Sequence, residues 1–161
     1  MLSWLPHHPD LSGAIRSIRG TENATARLRA TIALAMHERD TVATQRLDRV
    51  AVDCLKEMDG RWGEAGLTPV RLAVLSSHSI DHLVPGIRAA SLTHGLALSV
   101  YLGTYGQFRQ AILAGDPALR SFDPQIVLLA LDAPALLPEL PINASADEGV
   151  SSPHRVVRVD S

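Results

Sequence analysis

Residues 69–133 read PVRLAVLSSHSIDHLVPGIRAASLTHGLALSVYLGTYGQFRQAILAGDPALRSFDPQIVLLALDA, and three short apolar runs punctuate them. RLAVLSS at 71–77 ends in small hydroxyl residues, LALSVYL spans 96–102, and QIVLLALD at 125–132 is almost wholly apolar. Runs of this length predict β-strands, and the apolarity of the last predicts cover on both of its faces. Between the first two, residues 79–94 read as helix, with Ser79 as N-cap, Asp81 facing the helix dipole and Gly95 where a C-terminal glycine belongs. After the second, Gly103 and Gly106 bound a turn into a short helix carrying Phe108, Ile112 and Leu113. A smaller helix or turn near 117–122 follows, then an Asp-Pro turn signal at 123–124. Strand, helix, strand, helix, strand predicts an α/β fold: a three-layer α/β/α, flavodoxin-like parallel sheet with right-handed crossovers and helices on both faces. Three strands leave an exposed edge and half-covered faces, so the sheet reads as incomplete.

Outward from this stretch the texture changes. Residues 1–62 read as a helical segment: Leu28, Ile32 and Ala35 recur at helical spacing, as do Leu47, Val50, Ala51, Cys54, Leu55 and Met58. GRWGEAGLTPV at 60–70 breaks that periodicity and is the best candidate boundary. The α/β part is then expected over 70–140, and the small, polar residues of 141–161 read as a disordered tail.

Composition narrows the function classes. Of 161 residues 46% are hydrophobic, which fits one domain with a core of ordinary size. The 15 basic and 17 acidic residues are scattered and sum to −2, so neither nucleic acid nor a membrane surface is expected as partner. Lys56 is the only lysine, and the arginines are interleaved with Asp and Glu instead of forming a stripe. One cysteine, Cys54, at a buried helical spacing, no apolar run long enough for a membrane span and no signal-like start predict a reducing, cytoplasmic setting. The seven histidines are dispersed, so no metal site is expected.

Open parallel sheets bind ligands outside the carboxyl ends of their strands, which directs attention to three loops. SSHSIDH at 76–82 offers Ser76, Ser77 and His78 beside a helix start; Ser77 stands where a nucleophile at a strand-to-helix elbow would stand, although hydroxyls there also serve simply as caps. GTYGQFRQ at 103–110 offers Tyr105, Gln107 and Arg109 as a hydrogen-bonding rim, or a plain turn into a helix. Asp132 closes the third run, as a ligand-site carboxylate or a cap.

The segment 69–133 resembles the amino-terminal region of FkbH-like proteins, subfamily IIIC of the HAD superfamily. Tyr105, Gly106, Gln107, Phe108, Arg109 and Gln110 carry the likeness, and Asp81, His82, Leu83, Pro85, Gly86, Ile87 and Arg88 support it. WLPHHPD at 4–10 and TQRLDRV at 44–50 extend it over roughly residues 1–149. The resemblance implies an SGNH-hydrolase-like first domain, followed in the family by a magnesium-dependent HAD phosphatase domain. Together they load a glyceryl-type unit from a phosphorylated three-carbon metabolite onto an acyl carrier protein in polyketide biosynthesis.

This chain has no D-x-D-x-[TV] motif, so the HAD domain and its magnesium are missing and no cofactor is expected. Against the SGNH pattern, Ser77 matches the serine and Gly103 or Gly106 the glycine, but Ala-Leu-Asp replaces Gly-x-Asn-Asp and the late D-x-x-H is absent. The family would continue past 148 into another helix, whereas here Gly149, Val150, Ser151, Ser152 and Pro153 follow, as a frameshift or truncation would leave. The expected function is that of a truncated recognition domain, docking an acyl carrier protein over a strand-end basin, with the missing HAD domain as its other partner. Alternatives are a small esterase acting through Ser77 and an inactive remnant.

Overall fold

The computed structural model describes residues 5–132, so the predicted tail at 141–161 lies outside the described residues. The chain divides into two compact units, Met1–Ala130 and Leu131–Ser161, and the elements named below all belong to the first. Three helices lead: α1 (Leu11–Arg19), α2 (Ala24–Ala35) and α3 (Thr41–Glu57). Each starts on a side-chain cap. Asp10 accepts from the Gly13 N–H at 2.8 Å, Asn23 from Ala26 at 2.9 Å and Asp40 from Ala43 at 2.7 Å. A carboxylate or amide three residues ahead of the first unpaired N–H groups is what fixes these starts.

The apolar faces of α2 and α3 serve two clusters: Leu34, Ala35, Ala43 and Leu47 pack with Ile15 of α1 among the helices themselves, while a second group reaches the sheet. Leu28, Val50, Ala51, Cys54 and Met58 share one buried cluster with Leu67, Leu92 and Ala97 from the sheet side of the molecule. The glycine-rich stretch at 60–70 is therefore bridged by a shared cluster, and Trp62 ties it down by donating its indole N–H to the Leu55 carbonyl at 2.9 Å. A buried ion pair adds a second link. Arg88, on α4 (Val84–Thr93), meets both carboxylate oxygens of Asp48 on α3 at 2.7 Å.

The sheet is parallel, with β1 (Thr68–Ser76) between β2 (Leu96–Leu102) and β3 (Ile126–Ala130). The order β2-β1-β3 is the one with which a flavodoxin-like sheet begins. Pro69 sits in the central strand without cost. The Thr68 N–H bonds the Gly95 carbonyl on the β2 side, so the donor that proline lacks would point toward β3, whose pairing begins only at Leu72. Ile87 of α4 packs on Leu72, Val74, Leu98 and Val100, which share one face of the sheet. Tyr101, one residue out of phase, meets Phe122 of α6 (Pro117–Phe122) at a ring separation of 5.6 Å. Alternation along the strand puts these contacts on opposite faces, and the chain is an incomplete α/β sheet with helices on both sides.

Two local expectations are corrected. The helix expected over 79–94 begins at Val84, after a 3₁₀ turn Asp81–Leu83. Pro85 is tolerated only in the first helical turn, so the α-helix starts where proline permits, and the Ser79 hydroxyl bonds Asp81 at 3.0 Å instead of capping. Strand β3 is not covered on both faces: Ile126, Val127, Leu128 and Leu129 are each 42–50% exposed. Its apolarity signals a strand built to be covered, and the described residues leave it at the sheet's edge.

Candidate functional site at the strand ends

The loop after β1 and the turn after β2 enclose a cavity of about 310 Å³ lined by Ser76, His78, Ser79, Asp81, Gly103 and Tyr105, with Val74, Ile80 and Leu102 as its apolar wall. Gly103 makes the close approach possible. A Cβ there would lie 2.5 Å from a Leu75 methyl, so any side chain would require the Leu75 side chain to shift. Gly95 serves the same crossover from its other end: with φ at +75° it closes α4 in the left-handed conformation read from the sequence.

The serines play different parts. The Ser76 hydroxyl is buried and donates to the His78 carbonyl at 2.5 Å, holding the loop closed. The half-buried Ser77 hydroxyl lies 3.4 Å from Nδ1 of its neighbour His78, longer than an ordinary O–H···N bond. His78 has no carboxylate hydrogen-bonded to it among the described residues, and Asp81 takes its bond from Ser79. Oxyanion donors are also committed elsewhere. The Ser77 backbone N–H bonds the Ala130 carbonyl at 3.2 Å and the Gly103 N–H bonds Val74 at 2.9 Å, so neither points at a reacting carbonyl.

The expected basin is only partly assembled. Ser76, His78 and Tyr105 line this cavity, and Tyr105 is 68% exposed at its mouth. Gln107 lines a different hollow with Thr104, Gln110 and Asp116. Ser77 and Arg109 line neither; the Arg109 guanidinium lies 5.7 Å from the ring centre of adjacent Phe108. Asp132 belongs to the second unit. Ser79 and Ile80 were not expected as lining because the helix was expected to begin five residues earlier, which would have turned them into it, and Leu102 was read only as the last residue of its strand.

Near the second hollow, the Tyr101 hydroxyl donates to Asp116 at 2.6 Å. That bond raises the tyrosine pKa above its ordinary value, and it holds the Asp116 carboxyl below its own, helped by the Ala118 backbone N–H at 2.8 Å. Among the described residues no His, Cys, Asp and Glu group is placed to hold a metal, and no helix is long and apolar enough to cross a membrane. No family model, curated protein or solved structure matches the chain.

Proposed function

We propose that the chain is a recognition domain of the FkbH-like kind, which receives an acyl carrier protein at the strand-end cavity and does not itself complete a hydrolytic reaction. One observation supports this above others. A polar cavity opens at the carboxyl ends of β1 and β2, while the backbone donors that a hydrolase would aim into it are already spent within the sheet. The exposed Tyr105 ring at its mouth is the residue type that dominates binding energy at protein interfaces. Titrating the full chain with a phosphopantetheinylated carrier protein should give saturable binding, weakened roughly tenfold in Tyr105→Ala. Absence of binding to any carrier protein encoded beside its gene would refute the proposal.

A second reading rests on the approach of Ser77 to His78 at 3.4 Å: a weak esterase with that hydroxyl as nucleophile. It requires turnover of p-nitrophenyl acetate that disappears in Ser77→Ala. Equal rates in the two proteins would remove it.

A further inference from the structure

Interleaved along the sequence, Arg19, Arg27 and Arg49 form no basic stripe; folded, they line a single hollow of about 440 Å³ between the first three helices, with Val50, Asp53 and Glu57. Their roles differ. Arg27 is nearly buried and fixed by three partners: its Nε donates to the Cys54 sulfur at 3.1 Å, Nη1 to the Thr21 carbonyl at 2.9 Å, and Nη2 to Glu57. That pairing consumes the Glu57 charge. Arg19, in the last turn of α1, and Arg49, on α3, are exposed and form no ion pair among the described residues. Two guanidiniums thus face one remaining carboxylate, Asp53, across a concave surface.

We infer that this hollow is a binding site for a phosphate group, free or carried by a small organic ester. Guanidinium is the side chain suited to such a group because its planar fork places paired N–H donors on adjacent oxygens. Two of them on separate helices, backed by an immobile third, can share a tetrahedral dianion that one alone would hold weakly. A hollow of this volume suits a small ligand. The site is built by α1, α2 and α3, so it stands independently of any reading of the strand-end cavity.

Calorimetric titration of the intact chain at low salt with phosphoserine, orthophosphate and unphosphorylated serine tests it. Saturable binding of either phosphate compound supports the inference, and tighter binding of phosphoserine would assign the ester as the source. Arg19→Ala and Arg49→Ala should each weaken binding roughly tenfold or more, Asp53→Asn should tighten it, and Arg16→Ala and Arg46→Ala, exposed arginines outside the hollow, should leave it unchanged. Because these side chains are exposed, unchanged thermal unfolding of the variants keeps loss of binding distinct from loss of fold. No saturable phosphate binding, equal binding of serine, or an equal loss in Arg16→Ala would overturn it.

Discussion

The Asp48 carboxylate is almost sealed from solvent, and the Arg88 guanidinium is the charge that makes its burial tolerable. Removing one member of such a pair leaves the other stranded in a poorly solvating interior. Arg88→Met should therefore cost about 3 kcal/mol or more in urea unfolding, and adding Asp48→Leu should restore most of the loss; a small effect of the single change would show that water reaches Asp48. The Tyr101–Asp116 bond carries a pH signature instead. Its tyrosine is raised, so that contribution is present at neutral pH and lost as pH climbs past about 10; its aspartate is lowered, so that contribution is lost as pH falls below about 4. Tyr101→Phe should lower the melting temperature slightly at neutral pH and bring the two proteins together at both extremes. Neither partner was legible in the sequence: Asp48 and Arg88 lie forty positions apart, and only a fold in which α3 packs on α4 brings them within reach.

At the scale of elements, the strands were read from their apolarity, and 96–102 coincides with β2. That same property misled for β3, since a run of Ile, Val and Leu declares that a strand is suited to cover without declaring that cover is supplied. The strand has no charge, proline or bulge to discourage pairing with another chain. Val127→Lys should reduce light scattering in concentrated solution while leaving the unfolding midpoint nearly unchanged, and a large loss of stability would mean that the side chain is packed after all. The helix caps are the opposite case, local enough to be visible in sequence and modest in effect. Asp40→Ala should cost about 1 kcal/mol, measured by urea unfolding.

For the whole first unit, the helical segment and the sheet stabilise each other. Leu67, Leu92 and Ala97 would face water without Leu28, Val50, Cys54 and Met58, so a fragment spanning 67–132 should lack cooperative unfolding, and one that melts cooperatively would show a second, independent core. Periodicity revealed that the early helices had a face to bury, but it could not name what they were to bury it against. The arginine hollow was hidden for a related reason, because charges spaced for solvent along three helices converge only once those helices cross. The Cys54 placement has a practical consequence. It is the chain's one thiol, fully buried, and desolvation raises its pKa, with the Arg27 contact opposing in part. A disulfide reagent such as Ellman's can react with it only when the helices part, so the molecule carries a built-in chromogenic clock whose rate counts its own opening events.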